Sequence, residues 1–290
     1  MITVEKRSPE GIEINVEANA TDQLSIMYCS DIHADSIACD LDLFQTHLEQ
    51  ANKLKAPVII NGDLFDAMQG RFDPRRDPEN LKKDFKVSSY FDALVMWHSQ
   101  LLKKYTDIPC FIIGEGNHES SVRKINGTSL TERLAYDFSL HGINAVGVGY
   151  WGYVRVTFKY KKGNGAASHL LYFHHGKSSN AVVTKGAIEF QRQSVFIRDA
   201  QAVLNGHIHE AMSLAHKVER FNQRTMRTYT ELVWYLRTPG YVLSPSDTGQ
   251  TTGWVSERHK DPKPRGCMFG NYYFTSEKSE ITLDITQKIV

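Results

Sequence analysis

Short apolar runs that stop abruptly at Asp, Asn or His recur along the first two thirds of this chain, and no other feature restricts its fold as tightly. Five segments share the pattern: YCSDIH (28–33), INGDLFD (60–66), IIGEGNHES (112–120), LLYFHHG (170–176) and VLNGHIH (203–209). Each run has the length of a buried strand, and the glycines let the backbone turn sharply where the run ends. Helical spacing fills the intervals. Leu41, Phe44, Leu48, Ala51 and Leu54 recur at three and four residues, and Phe85, Tyr90, Phe91, Leu94, Val95, Leu101 and Leu102 trace a helix over 80–105. Further helices are expected near 129–140 and 178–198, with a strand near 143–148. YVRVTFKY (153–160) alternates as an antiparallel strand does, and KKGNG supplies a hairpin turn before HLLYF (169–173). From 212 onward the pattern is strand-like. Strand–helix units followed by meanders predict an α/β fold of two mixed sheets packed face to face with helices outside.

The chain, at 290 residues, shows no linker, repeat or low-complexity tract, so one domain over 1–290 is expected, with strands of 212–290 completing the second sheet. Its formal net charge of +1 argues against a protein that wraps nucleic acid through an overall basic field, but a local groove can still hold phosphates. Cys29, Cys39, Cys110 and Cys267 form no CxxC pair, and Cys29 and Cys110 lie in apolar runs. Reduced, buried thiols and a polar start predict a soluble cytoplasmic protein without a membrane partner.

The residue types at the strand ends suit a metal. In open α/β sheets ligands bind beyond the carboxyl ends of strands. Six of the twelve histidines lie in the five segments, with Asp31, Asp63 and Asn117 beside them. Imidazole and carboxylate suit manganese, iron, zinc or nickel. Strand alternation would put Asp31 and His33 on one face with Ile32 in the core, and His207 and His209 likewise around Ile208. A lone Asp63 can bridge two cations with its two oxygens. About seven ligands are too many for one tetrahedral site and suit two metals. Each motif alone has an ordinary reading as a helix cap, turn or structural histidine. Their conjunction in five successive segments does not.

In this order the blocks DIH, GDLFD, GNHE, HHG and GHIH resemble the signature of the calcineurin-like metallophosphoesterases, over residues 31–209. The resemblance implies a four-layer α/β/β/α sandwich with a dinuclear centre. It assigns Asp31, His33 and His209 to one metal, Asn117 and His207 to the other, and Asp63 to both. The fourth block leaves His174 and His175 as alternative ligands, and the family's usual spacing favours His174. His118 would protonate the leaving oxygen, and Glu119 and Asp66 would orient groups that touch metal or substrate. The implied cofactors are two divalent ions, manganese first, with iron, zinc, nickel or magnesium as alternatives. The implied reaction is phosphoester hydrolysis by a metal-bridging hydroxide.

The substrate is less legible. Arg71, Arg123 and Lys177 are candidate phosphate contacts, with Arg75, Arg76, Lys124 and the basic run 258–266 near them in sequence. Tyr150, Trp151, Tyr153 and Trp254 are candidate base-stacking rings. These favour a phosphodiester of DNA or nucleotides as substrate, in a nuclease-like role. A phosphatase or pyrophosphatase of a small metabolite is the alternative, and a non-catalytic metal-binding scaffold the third reading.

Overall fold

The computed structural model describes residues 2–70, 73–163, 165–177, 184–248 and 261–290. In chain order the strands are β1 (Ile2–Lys6), β2 (Gly11–Ala18), β3 (Thr21–Cys29), β4 (Val58–Ile60), β5 (Phe111–Ile113), β6 (Ala145–Gly147), β7 (Trp151–Tyr160), β8 (Ala166–His174), β9 (Ala202–Asn205), β10 (Met212–Asn222), β11 (Arg227–Arg237), β12 (Gly266–Thr275) and β13 (Glu280–Ile289). The main helices are α1 (Leu41–Leu54), α2 (Tyr90–Leu102), α3 (Asn117–Asn126), α4 (Leu130–Leu140) and α5 (Ala187–Phe196). One sheet runs β1-β2-β7-β8-β9-β11-β10 and the other β13-β12-β3-β4-β5-β6. Both mix parallel and antiparallel pairs.

Three apolar layers hold these elements together. Ile14, Val156, Phe158 and Phe173 of the seven-stranded sheet meet Ile26, Ile59, Ile112 and Phe274 of the six-stranded sheet. The outer face of the six-stranded sheet carries Val58, Ile60, Phe111 and Ile113, which pack against Phe44 and Leu48 of α1, Leu94 of α2, and Leu134 and Phe138 of α4. A smaller cluster puts Phe190 of α5 against Tyr172, Val203 and Tyr235. The result is an α/β/β/α arrangement. No helix among the described residues is long and apolar enough to cross a membrane.

The elements differ from the sequence reading in three places. First, the helix expected over 80–105 begins only at Tyr90; before it come two short 3-10 turns, Pro78–Asn80 and Lys83–Phe85. Proline has no N–H to continue a helix, and the Asp77 side chain caps the first turn at Glu79. Second, the polar-looking N-terminus forms the β1–β2 hairpin. Ile12, Ile14, Val16 and Ala18 are buried at every second position, an alternation masked by the charged residues between them. Third, the strands after 212 divide between the sheets. Cys267 and Phe269 of β12 face the helix layer, while Met268, Tyr272 and Phe274 face the inter-sheet core. A strand apolar on both faces needs cover on both, and β12 finds it beside β3 in the six-stranded sheet.

Strands β3, β4 and β5 run parallel, as do β8 and β9, so five carboxyl ends converge on one rim. Asn61 ties the sheets together there, donating from Nδ2 to the carbonyls of His174 and Leu204.

Candidate metal centre

The loop after β3 carries Asp31 and His33, with Asp31 and Ile32 fully buried. Strand alternation does not aim these side chains, contrary to the sequence reading, because β3 has already ended at Cys29. Asp31 and His33 instead adopt left-handed backbone, with φ of 54° and 49°. Asp63, His207 and His209 do the same, at 52°, 73° and 56°. Side chains that would alternate on a strand are thereby swung toward one volume. The strain in such residues is of order 1 kcal/mol each and is held by local hydrogen bonds. The amides of Ile32 and His33 both donate to the Asp63 carbonyl, and the amide of His207 donates to Asp31 Oδ2 at 2.9 Å.

Two glycines make the close approach feasible. A Cβ on Gly116 would lie 2.0 Å from Asp63 Oδ1, and one on Gly62 would lie 2.5 Å from His175 Nδ1. Gly62 also has φ +84°, which only glycine takes without strain.

Around Asp63 the side chains form three groups, of which one, His33, Asp63 and His118, shares a residue with each of the other two. Asp31, His33 and His209 present ligand atoms to one another, with His209 Nε2 at 3.4 Å from Asp31 Oδ1. Asp63, His175 and His207 form the second group, with His175 Nε2 at 3.1 Å from Asp63 Oδ2 and 3.2 Å from Asn117 Oδ1. His33 Nε2, 3.9 Å from Asp63 Oδ2, links the two. His118 Nε2 lies at the same distance from that oxygen, 3.9 Å. The donor set fits two divalent cations sharing Asp63. Asp31 Oδ1 is buried with no hydrogen-bond partner, although its side chain is ionised in character and fully enclosed.

The preference for His174 over His175 is corrected by this geometry. His175 is fully buried, and its Nδ1 faces the Asn61 carbonyl at 2.7 Å, leaving Nε2 directed at Asp63. His174 turns away, accepting the Gly176 N–H at Nδ1 (2.9 Å) and lying edge-on to the ring of Tyr150. The last residue of β8 faces opposite to the next residue, and only the latter enters the cluster.

Electrostatics knit the group together. Burial alone would raise Asp31 and Asp63, but nearby imidazoles hold both carboxyls below their usual range: His209 and His175 at Asp31, His175 and His118 at Asp63. Conversely, burial depresses His33 and His175, and the surrounding carboxylates overcome it. His33 is raised to about 9 by Asp66, Asp63 and Asp31, and His175 to about 10 by Asp63 and Asp31. Such mutual stabilisation shows a cluster that demands positive charge, which protons supply when cations do not.

A supporting layer surrounds these groups, of which the sequence reading named Glu119 and Asp66 but not Ser30, Asp35 or Thr238. Ser30 Oγ donates to Asp31 Oδ2 and also meets Thr238 Oγ1. Asp35 accepts from the amides of Asp66 and Ala67 and from the Tyr90 hydroxyl, and burial with the nearby Asp66 carboxylate raises it to about 6. Nothing in the spacing distinguished Asp35 from an ordinary loop aspartate. Glu119, expected as an orienting group, accepts the amides of Asp63, Phe65 and Gly116. Burial and Asp63 raise its carboxyl to about 8. Asp66 Oδ1 lies 3.3 Å from His33 Nδ1, and the Asp66 carbonyl bonds His118 Nδ1.

Of the candidate phosphate contacts among the described residues, Arg75 comes near enough to the cluster to feel the Asp66 and Asp63 carboxylates. Arg71 and Trp254 lie outside the described residues, as do 258–260. Arg123 pairs with Glu115 at 2.9 Å, and Lys177 is exposed, with its amide bonded to Glu189. Arg75 is tied to Asp73, while Arg76 and Lys124 are exposed. Of the candidate rings, Tyr150 reaches the cluster, 5.4 Å from the His175 ring, whereas Tyr153 packs on Tyr172 and Trp151 is exposed.

A family model described as calcineurin-like phosphoesterase matches residues 24–211. No curated protein sequence matches the chain. Among solved structures, GAP50, described as the anchor in the inner membrane complex of Plasmodium, aligns over 92% of this chain and 90% of its own at 12% identity and a TM-score of 0.43. A likeness that remote carries no argument about function.

Proposed function

Since the chain belongs to the calcineurin-like phosphoesterase family, we propose that it is a dinuclear metal-dependent hydrolase of phosphodiesters, of nucleotide or DNA type. The observation that carries this reading is the convergence of Asp31, His33, Asn117, His175, His207 and His209 on a shared Asp63, with His118 at the edge of the group. In the proposal Asp31, His33 and His209 would hold one cation, Asn117, His175 and His207 the other, and Asp63 would serve both. Two divalent ions, manganese in the first instance, would supply Lewis acidity to a phosphoryl group and make water more acidic there.

The chain's own residues then do three things. Asp31 and Asp63 set the charge of the site. Glu119, by accepting three amides, fixes the turn that aims Asp63. His118 delivers a proton to the departing oxygen. Its Nδ1 faces a carbonyl, which can only accept, so Nδ1 keeps its hydrogen and Nε2 is the nitrogen that takes up and passes on the proton; burial holds this imidazole below its usual range, which favours giving the proton up.

A diester is favoured over a monoester by charge. A monoester dianion is commonly clamped by arginine, and among the described residues Arg75, Arg123 and Arg237 are each engaged by a carboxylate, of Asp73, Glu115 and Glu189. Tyr150 offers a ring at the rim on which a base could stack. A cytoplasmic setting belongs to the same proposal, supported by four buried, unpaired cysteines.

The test is a manganese-supported panel of single- and double-stranded DNA, cyclic nucleotides, bis-p-nitrophenyl phosphate and simple monoesters. Turnover of diesters is expected. Turnover of monoesters alone would replace the diester reading with that of a small-metabolite phosphatase. Two bound metals with no turnover on any substrate would make the chain a scaffold.

A further inference from the structure

The β10–β11 hairpin is long for the sheet it belongs to. Both strands run for 11 residues, yet β9 pairs β11 only at Trp234–Arg237. The remainder extends past β9 as a two-stranded ribbon, tied at its base by Gln201 to Glu231 and by Arg220 to the Arg198 carbonyl, and β10 is the terminal strand of its sheet among the described residues. Two-stranded ribbons are marginal in water, and a long unpaired edge invites another strand. This one also exposes Leu214, Phe221, Met226, Tyr229 and Leu232.

The sequence of β10 selects its partner. An antiparallel pairing of two identical strands about a two-fold axis sets residue i against a residue of constant sum. With Val218 on the axis, Lys217 faces Glu219 of the second copy and Glu219 faces its Lys217. Ala215 faces Phe221, so an exposed aromatic ring gains cover on each side. Moving the axis one residue either way puts Lys217 against Lys217 or Glu219 against Glu219. Both Lys217 and Glu219 are exposed, and neither is engaged in an ion pair among the described residues. One register is therefore attractive and is flanked by two repulsive ones, which is how a strand edge specifies a partner and a register together.

We propose that β10 pairs antiparallel with β10 of a second copy of this chain, about a two-fold axis at Val218, joining two seven-stranded sheets into one. The closed symmetry uses up both edges and leaves no template for further growth. The pairing is independent of the reaction assigned to the metal centre.

The test is sedimentation velocity of the full chain with charge variants on the exposed ribbon. The wild type should be a dimer at micromolar concentration. K217E and E219K should each weaken the dimer by about tenfold or more, since either turns both symmetric pairs into like-charge pairs. The double variant K217E/E219K should restore it, and circular dichroism checks that each variant is folded. Under mild oxidation V218C should form an intermolecular disulfide where F221C does not, because only residue 218 meets itself. A monomeric wild type, or a dimer indifferent to K217E, would overturn the proposal.

Discussion

Replacing His175 with alanine should remove one of two bound cations, while His174→Ala should leave both in place. His175 Nε2 sits 3.1 Å from Asp63 Oδ2 and 3.2 Å from Asn117 Oδ1, whereas His174 Nδ1 is occupied by the Gly176 N–H. Residues that merely orient metal ligands change affinity by about 10–100-fold when mutated. Loss of a ligand should exceed that range, so one manganese site in His175→Ala should weaken by more than about 100-fold, or roughly 2.7 kcal/mol. His174→Ala leaves one amide without its acceptor, a cost of about 1 kcal/mol in stability, and should shift metal affinity by less than about tenfold. Protons give a second readout. His175 is depressed by burial but held at about 10 by Asp63 and Asp31, so at pH 7.5 the metal-free ring is charged and a cation must displace its proton. That displacement opposes binding by about 3 kcal/mol at pH 7.5 and vanishes as pH rises through 10. Metal content after dialysis gives the stoichiometry. Calorimetric titration in two buffers of different ionisation enthalpy counts the protons, and His175→Ala should release one fewer. Two manganese ions retained in His175→Ala, with one lost from His174→Ala, would refute the assignment.

His118→Ala should keep both metals yet lose about 10²–10⁴-fold in turnover of an alkyl phosphodiester, and far less with a p-nitrophenolate leaving group; equal losses on the two substrates would remove its role as proton donor. Gly62→Ala should destabilise the protein and abolish metal binding, because the new methyl would lie 2.5 Å from His175 Nδ1; intact occupancy would show that the loop has room to give. His169, lowered to about 4 by burial, tests acid stability. Its folded pKa lies below its unfolded value, so the unfolded chain takes up a proton that the folded chain refuses, and stability falls as pH drops from about 6.5 toward 4. His169→Phe removes this term, and its stability relative to wild type should improve by about 2 kcal/mol between pH 7.5 and pH 5 in urea denaturation. A constant difference across that range would mean that His169 is charged in the folded state.

Much of the candidate site was legible because its ligand-type residues are tied to short, unmistakable strand endings. Asp31, His33, Asp63, Asn117, His207 and His209 each followed an apolar run, and the fold brings them into adjoining groups around Asp63 and His175. What periodicity could not supply was direction. A period of two describes a strand, and β3 and β9 stop at Cys29 and Asn205, before the ligands begin. The aim of Asp31, His33, Asp63, His207 and His209 comes from a positive φ, which a residue such as His33 does not advertise. The same limit decided His174 against His175: adjacent residues face opposite ways, and only the contacts of the Asn61 carbonyl and the Gly176 amide fix which one turns inward. Asp35 escaped notice because its partners are backbone amides that folding brings to it. The N-terminal hairpin was missed for a compositional reason, since Glu13, Asn15 and Glu17 hide an apolar face that alternates cleanly.

Strain and buried charge at this rim have a common cause. Asp31, Asp35, Asp63, Asp66 and Glu119 are all nearly inaccessible to solvent. Burying that many carboxyls is unfavourable unless positive charge accompanies them. Five ligand-type residues also sit in left-handed backbone, with φ between 49° and 73°. At of order 1 kcal/mol each, that strain approaches the whole net stability of an ordinary domain, about 5–15 kcal/mol. Neither cost helps the sandwich to fold, because the apolar layers between the sheets and under the helices would close as well over relaxed, polar turns. The sheets instead absorb both costs. They anchor each loop at a strand end, and the loops lock one another through Asp31 to His207, Ile32 to Asp63 and Asn61 to His175. Left-handed backbone is what lets carboxylates and imidazoles from different strands point inward at the same small volume, and that arrangement as a whole suits positive charge of the kind the proposed cations would bring. The local departures from good folding practice therefore mark the functional centre as directly as the residue types do.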